Sequence, residues 1–257
     1  MADWVRFEHQ GEIGFGVLSD DAINVHSGDM FDAPSATGEL LALAEVKPLP
    51  PVRPALMIGL WNNFHQRAQA EGLETPRQPL YFFKPASCFL AHGESIRRPS
   101  GYDGRIVFEA ELGVVIGRVC RAVAEAEAAG YVFGYTCVND VTAAPVIKED
   151  PSFEQWCRAK GYDTFGACGP YIRTGIEPHG MTVKALQNGR ERQSYPVSDM
   201  IFSPVQLVSR ISQFMTLQPG DLIACGTSLG ARPMRAGDRI DVVIEGLVTL
   251  SNDFQDC

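Results

Sequence analysis

Several features are missing from this sequence of 257 residues, and each absence excludes a class of protein. No apolar run is long enough to cross a bilayer, so neither a membrane-spanning helix nor a membrane partner is expected. Basic residues are outnumbered, at 22 against 31 acidic ones, and the net charge of −9 argues against a nucleic-acid partner, because phosphate-backbone binding needs a basic surface. The first residues carry no pattern of an export signal, so a cytoplasmic protein is expected.

The seven cysteines lack the spacing of a metal-binding or redox pair, since no two of them are separated by exactly two residues. An odd number of scattered cysteines is typical of reduced thiols in a cytoplasmic protein, where most serve as small core residues. A nucleophilic cysteine is the alternative, although none lies in a recognisable activating context. The sequence therefore predicts reduced thiols.

The chain contains many short strand patterns and only three or four short helix patterns, which favours a mainly β (α+β) fold and argues against a doubly wound α/β sheet. Strand candidates at 4–7, 13–18 and 22–25 predict a small β-rich N-terminal domain over residues 1–50. Four prolines within residues 48–54 form a stiff connector. The catalytic domain is expected to occupy residues 51–257.

Two local signals in the second half of the chain are strong. Asn188-Gly189, between strand candidates at 182–187 and 190–195, predicts a tight hairpin. Ser203-Pro204 predicts the start of a helix, with Ser203 as its cap and an apolar stripe on one face. Shorter helices are expected over 66–71, closed by Gly72, over 123–130, and over 152–159 with Ser152 as a possible cap.

Two carboxylates lie inside a strand pattern over residues 105–117. Glu109 and Glu111 are two residues apart, so a strand projects both from the same face. A second apolar run ends at Asp140, which could add a third oxygen ligand. Like charges brought together in this way are usually neutralised by a cation, and a set of carboxylates without His or Cys favours Mg²⁺ or Mn²⁺. The alternative is a wet strand face on which both glutamates are solvated.

Two further polar residues lie close to strand patterns. His65 follows the apolar strand candidate that begins at residue 55, where it could act as a base or be an ordinary hydrogen-bonded histidine. Lys84 ends an aromatic-rich strand candidate at 80–84, and on that pattern alone an edge-strand lysine with its stem on apolar surface is the simpler interpretation.

The order of these motifs resembles the fumarylacetoacetate hydrolase family, and specifically its short, acylpyruvase-like branch. The resemblance covers about residues 55–250 and is carried by the segments Gly59 to His65, Phe82-Phe-Lys-Pro85, Glu109-Ala-Glu-Leu112, Gly134-Tyr-Thr-Cys-Val-Asn-Asp140, Lys160-Gly-Tyr-Asp-Thr-Phe165 and Cys225-Gly-Thr227. No single motif is decisive, but together and in this order they are highly specific.

The resemblance implies a mixed β-roll core, a homodimer and one divalent cation per subunit. The cation would be Mg²⁺ or Mn²⁺, held by Glu109, Glu111 and Asp140, which the strand pattern also selects. By the same resemblance His65 lies on a lid as the water-activating base. The substrate's oxygens would be held by three further residues, Lys84, Lys160 and Thr227. Substrates of the family are 1,3-dicarbonyl compounds or 2-oxo acids, whose adjacent oxygens chelate the metal.

The chain departs from the family pattern at three positions. The glutamate that usually follows the lid histidine by three residues is Ala68 here. Glu71 is six residues from His65, about 240° around a helix, so it could replace that glutamate as a catalytic residue only in an irregular lid. The arginine and glutamine expected after Asp140 are Ala144 and Ile147, which suggests a less anionic and more hydrophobic acyl end.

The sequence therefore predicts a metal-dependent hydrolase that cleaves a C–C bond in an acylpyruvate-like or other 1,3-diketo acid, in aromatic or related catabolism. A 2-oxo acid decarboxylase or a 2-hydroxy-diene acid isomerase of the same family is the alternative, because these reactions need no activated water. A metal-containing homologue without turnover is a third possibility.

Overall fold

The computed structural model describes residues 1–52 and 56–256. Residues 53–54 at the end of the predicted proline connector, residue 55 at the start of the predicted strand, and Cys257 lie outside this range. Within it, no helix has the length and apolar character needed to cross a membrane.

The N-terminal part of the chain is an antiparallel meander of four strands, β1 (Ala2–His9), β2 (Glu12–Ser19), β3 (Ala22–Asp29) and β4 (Asp32–Ala42). The first turn, Gln10-Gly11, has positive φ at both residues, as a two-residue hairpin of type I′ requires. The sequence pattern did not indicate β4, because this exposed edge strand is rich in Pro, Ser, Ala and Gly and has few β-branched residues.

The meander continues directly into the central sheet of the molecule, because β1 pairs with a strand from the second half of the chain, β14 (Gly166–Thr174). That sheet has twelve strands. Its further members are β5 (Lys47–Pro48), β6 (Met57–Trp61), β7 (Leu80–Lys84), β8 (Phe89–Leu90), β11 (Ala110–Ile116), β12 (Val132–Asp140) and β17 (Leu222–Ala224). The order is β4-β3-β2-β1-β14-β12-β11-β17-β6-β7, with β5 on β1 and β8 on β14.

A second sheet packs against the central one. Its strands are β9 (Ile96–Arg97), β15 (Thr182–Gln187), β16 (Arg190–Pro196), β18 (Arg239–Ile244) and β19 (Leu250–Gln255), in the order β16-β15-β18-β19-β9. A small pair joins β10 (Ile106–Val107) to β13 (Thr142–Ala143). The predicted hairpin at Asn188-Gly189 is confirmed, with positive φ at both residues. Side chains of β11, β15 and β18 share one large hydrophobic cluster between the sheets.

Four short α-helices complete the described fold: α1 (His65–Glu71), α2 (Glu125–Ala128), α3 (Trp156–Lys160) and α4 (Pro204–Ser212). The predicted cap of α4 is confirmed, because the Ser203 side chain and Gln206 form a reciprocal capping box. The predicted start of α3 was wrong: Ser152 bonds to Asp150 in a turn, and the helix begins four residues later. The mainly β fold with few short helices is confirmed.

Candidate metal and substrate site

The two glutamates and the aspartate come together at one end of the central sheet. Glu111 lies on β11 and Glu109 immediately precedes that strand, while Asp140 is the last residue of the neighbouring strand β12. Ala110 is in register with Asn139, so the three side chains meet. One oxygen from each lies within 4.8 Å of the others, and all three residues are buried. The alternative interpretation of a wet strand face was therefore wrong.

Lys84 is buried beside Asp140, and its ammonium group forms an ion pair with the Asp140 carboxylate. Nζ donates to Asp140 Oδ1 at 2.5 Å and to the carbonyl oxygen of Phe165 at 2.9 Å. The residue is 0% exposed, so the interpretation of Lys84 as a surface edge-strand lysine was wrong. Its position predicts that Lys84 fixes Asp140.

Lys160, the last residue of α3, bridges two of the three carboxylates. Its ammonium group contacts Glu109 Oε2 and Asp140 Oδ2, and it also lies 5.0 Å from the centre of the Phe82 ring. Lys160 lies at the C-terminal end of the short helix α3, directly before the capping residue Gly161. The Lys160 side chain thus contacts two carboxylates and also lines the cavity in front of them.

The pKa values of Asp140 and Glu111 are shifted in opposite directions. Burial opposes ionisation of Asp140, but Lys160 and Lys84 outweigh it and lower the pKa of this carboxyl. Burial and the nearby Asp140 raise the pKa of Glu111 well above its usual range. The Glu111 carboxylate accepts one hydrogen bond, from the Gly226 N–H at 2.8 Å. Three converging oxygens, one of them on a carboxyl that resists ionisation without a cation, fit a hard divalent ion.

Thr227 belongs to the loop that follows β17 and closes the site from another side. Its hydroxyl donates to the carbonyl oxygen of Ala110 at 3.0 Å and accepts from Gln193 Nε2 at 2.8 Å. Gly226 has a φ of +90°, which favours glycine at this bend. Gln193, a buried residue of β16, was missed by the sequence analysis because an isolated glutamine in a polar hairpin carries no signal of burial.

A cavity of about 150 Å³ lies in front of the carboxylates. Polar groups at its walls come from Asn62, Arg67, Glu109, Glu111, Thr142, Lys160 and Thr227, and apolar groups come from Leu60, Trp61, Phe82, Val107, Ala144, Ile147, Trp156 and Ala231. Lys84 and Asp140 are absent from this wall among the described residues and lie behind it. The cavity therefore has a charged floor and a largely apolar wall.

Three aromatic rings form much of the apolar wall. Trp156 stacks on Phe82 with ring centroids 5.7 Å apart, and Trp61 meets Trp156 at 5.6 Å. Ala144 and Ile147, at the positions where the family resemblance led us to expect an arginine and a glutamine, line the same cavity. A flat, apolar substituent would find a complementary surface here.

The structure does not bring His65 and Glu71 together at the cavity. His65 is the exposed first residue of α1, and Glu71, also exposed, accepts a hydrogen bond from Arg67 Nε at 3.0 Å. Neither lines the cavity among the residues described. The helix is regular, so the six-residue separation keeps the two side chains on different faces. Their catalytic roles stay predictions from the resemblance.

Arg67 is the functional candidate that the sequence analysis missed. It projects from α1 into the cavity, with Nη1 3.5 Å from Glu109 Oε1. Burial lowers the pKa of its guanidinium, but Glu109 and Glu71 more than compensate and raise it. In the sequence, an arginine four residues before a glutamate is typical of a solvated helix pair, which is why no signal pointed to the site.

Sequence comparison relates the whole chain to known proteins. The sequence pattern "Fumarylacetoacetate (FAA) hydrolase C-terminal" matches residues 57–255, and "Rv2993c-like, N-terminal" matches residues 4–51. Oxaloacetate tautomerase YisK of Bacillus subtilis is 35% identical over 231 residues, 84% of this chain and 75% of that protein. The 4-hydroxyphenylacetate degradation bifunctional isomerase/decarboxylase of Salmonella dublin is 36% identical over 223 residues, 86% of this chain and 47% of that protein.

Solved structures show the same architecture. The 2-hydroxyhepta-2,4-diene-1,7-dioate isomerase from Mycobacterium marinum has a TM-score of 0.90 at 32% identity, covering 100% of this chain and 99% of that one. The maleylpyruvate hydrolase from Sphingobium sp. SYK-6, in complex with manganese(II) ion and pyruvate, has a TM-score of 0.79 at 26% identity, covering 99% of each chain. The β-roll predicted from the motif order is thereby confirmed.

Proposed function

This chain belongs to the fumarylacetoacetate hydrolase family, and on that premise we propose that it is a divalent-metal-dependent enzyme that cleaves a C–C bond of an acylpyruvate-like or other 1,3-diketo acid. Its named relatives are isomerases, a decarboxylase, a tautomerase and a hydrolase, so members of the family are enzymes. The observation that carries the proposal is the buried group of Glu109, Glu111 and Asp140, of which Glu109 and Glu111 line the cavity and Asp140 lies behind them.

Those three carboxylates would hold Mg²⁺ or Mn²⁺. When bound, such an ion acts as a Lewis acid that polarises the 2-oxo carbonyl and stabilises negative charge developing on its oxygen. The manganese and pyruvate in the related maleylpyruvate hydrolase support this assignment.

The chain's own side chains then position the substrate. Lys160 presents its ammonium group to the cavity and would donate to a substrate oxygen. The Thr227 hydroxyl would donate to another once its proton turns away from the carbonyl oxygen of Ala110. Lys84 lies behind Asp140 and would keep this carboxylate ionised and oriented. The aromatic wall would exclude water from the apolar end of the substrate and orient it.

In hydrolysis, water adds to the acyl carbonyl and the bond between that carbon and the neighbouring CH₂ breaks. The electron pair stays on the 2-oxo acid as an enolate, which takes up a proton, and the acyl group leaves as a carboxylic acid. His65 would have to remove the proton from the attacking water, and for that the lid helix α1 would have to turn it inward from its exposed position.

The exposure of His65 and the pairing of Glu71 with Arg67 favour a second candidate. A 2-oxo acid decarboxylase forms an enolate, and an isomerase of 2-hydroxy-diene acids forms the extended dienolate, but neither needs activated water. The isomerase and decarboxylase relatives support it as well. Both candidates fit a role in aromatic or related catabolism.

The metal requirement is tested first. Glu111→Gln and Asp140→Asn should abolish turnover of 2-oxo acids and sharply lower the number of Mn²⁺ ions bound, whereas exposed Glu149→Gln should change neither. Activity is assayed on acylpyruvates, oxaloacetate and hydroxy-diene acids with Mg²⁺ or Mn²⁺. Full activity after chelator treatment would refute the proposal, and metal binding without turnover of any of these acids would indicate a non-catalytic homologue.

Product analysis in ¹⁸O-water separates the two reactions. Label in the released carboxylic acid supports hydrolysis, and His65→Ala should then slow the reaction by about 10²–10⁴-fold. Release of CO₂ with no labelled acid supports decarboxylation, and the same substitution should then have much less effect. A shifted double bond with no labelled acid supports the isomerase. Glu71→Gln slows hydrolysis only if Glu71 assists His65.

We also propose a homodimer, as the family resemblance implies. The edge strand β7 exposes Leu80 and Phe83, each 39% exposed, which supports a further contact at this side of the sheet. Sedimentation should give twice the chain mass of 28.1 kDa.

A further inference from the structure

Arg67 places a guanidinium in the cavity, next to the residues that would hold the cation. Its side chain is 21% exposed, it lines the cavity, and it is held from behind by the bond from Nε to Glu71. The Nη1 atom faces Glu109 at 3.5 Å, which is the distance of a loose ion pair and longer than the usual N–H to oxygen hydrogen bond. The forked end of the guanidinium is therefore aimed at the charged floor and weakly engaged there.

A second polar side chain in the same wall, Asn62, has one atom without a hydrogen-bond partner within the described part of the chain. Asn62 is 5% exposed, and its Oδ1 atom is buried without a hydrogen-bond partner among the residues described. Its Nδ2 atom donates to the carbonyl oxygen of Glu74 at 2.9 Å, which leaves Oδ1 as the unused acceptor of a side chain that lines the cavity. A buried acceptor without a partner is costly, so this wall is built to meet a polar ligand.

We propose that Arg67 binds a carboxylate of the substrate and makes the enzyme selective for 2-oxo acids over neutral diketones. The proposal rests on the function proposed above. A guanidinium presents two parallel N–H groups that match the two oxygens of a carboxylate, which neutral carbonyls cannot match as strongly. Its partner Glu109 would turn towards the cation, and the carboxylate of the bound 2-oxo acid would take the place of Glu109 beside Arg67.

Asn62 would accept a hydrogen bond from the enol or hydroxyl form of the same substrate, next to the carboxylate. Arg67 and Asn62 enter the cavity from one segment, the end of β6 and the first turn of α1.

The test uses oxalate, a small dicarboxylate, as the probe for carboxylate binding. Its dissociation constant is measured by calorimetry for the Mn²⁺-loaded protein and for the metal-free protein, and Mn²⁺ affinity is measured separately from the spectrum of free Mn²⁺. Arg67→Gln should weaken oxalate binding about tenfold to hundredfold, the usual range for loss of a charged, bidentate contact. Arg67→Lys keeps the positive charge but loses the two parallel N–H groups, so its affinity for oxalate should lie between those of the wild type and Arg67→Gln.

The control is Arg77→Gln, which removes an exposed arginine of the segment that follows α1. It should leave oxalate and Mn²⁺ binding unchanged, and Arg67→Gln should leave Mn²⁺ binding intact. If Arg67→Gln binds both Mn²⁺ and oxalate as tightly as the wild type, the role of Arg67 is refuted while the metal-dependent function stands. If the wild-type protein binds oxalate neither with nor without Mn²⁺, the role of Arg67 is refuted. If it also binds no Mn²⁺ and converts no 2-oxo acid, the proposed metal-dependent function is refuted as well.

Discussion

At the scale of single residues, the site depends on buried charges that neutralise one another. Lys160 is 3% exposed and neutralises both Glu109 and Asp140, so it contributes to folding as well as to substrate binding. Removing one partner of a buried ion pair leaves an uncompensated charge, which usually costs more than the pair contributes.

We predict that Lys160→Met lowers the free energy of unfolding of the metal-free protein by about 3–5 kcal/mol and abolishes turnover. Added Mn²⁺ should restore part of the lost stability, because the cation neutralises the same carboxylates, but it should not restore activity. Thermal melts with and without Mn²⁺, combined with steady-state kinetics, measure both effects. Exposed Lys148→Met is the matched control. An unchanged melt for Lys160→Met would show that Lys160 has no structural role.

The sequence predicted part of this residue-scale picture. Glu109 and Glu111 could be identified because the two-residue period of a strand puts them on one face, and Asp140 because it ends an apolar run. The burial of Lys84 and the approach of Arg67 could not be identified from local patterns. Both depend on contacts with residues 56 and 42 positions away along the chain, which no helix or strand period encodes.

At the scale of elements, a single buried asparagine fixes the segment that enters α1. Asn63 donates to the carbonyl oxygens of Cys225 at 2.8 Å and Phe202 at 3.2 Å, and its Oδ1 accepts from the Phe202 N–H at 2.9 Å. These bonds join the end of β6 to the start of α4 and to the Thr227 loop. The two walls of the cavity are thus held in register by one side chain.

Asn63→Ala should lower the free energy of unfolding by about 1–3 kcal/mol, because buried backbone groups of Phe202 and Cys225 lose their partners. It should also raise KM for the substrate, since Asn62 and Arg67 lie on the released segment. Urea denaturation and kinetics check the two effects, with exposed Gln69→Ala in the helix that follows as the control. A destabilised variant with an unchanged KM would separate Asn63 from the geometry of the cavity.

Elements that are determined by residues close together in the sequence were predicted correctly. The cap of α4 and the hairpin at Asn188-Gly189 depend on residues within a few positions of each other. The start of α3 was placed too early, because Asp150 draws Ser152 into a turn that competes with a helix cap. The pairing of β1 with β14 had no sequence signal, since it joins strands more than 160 residues apart.

At the scale of the whole molecule, the C-terminal strand is tied to the first half of the chain by a histidine. The His92 Nδ1 atom accepts the backbone N–H of Ser251 in β19 at 3.1 Å, which requires an unprotonated nitrogen. Burial, together with the positive charge of Arg239, lowers the pKa of His92 below its usual 6.5, although Asp241 opposes the shift. Folding therefore favours the neutral form of this imidazole.

The sign of the pH effect follows from that direction. A histidine whose pKa is lowered by folding contributes its full stabilisation above about pH 6.5, and this contribution is lost as the pH falls through the lowered value, because the unfolded chain binds the proton more readily. The free energy of unfolding of the wild type should thus decline between pH 7 and 5 more steeply than that of His92→Gln, which has no group titrating at this position. Chemical denaturation at several pH values measures both slopes. Parallel slopes for His92→Gln and the wild type would mean that the bond to Ser251 does not depend on the charge of His92.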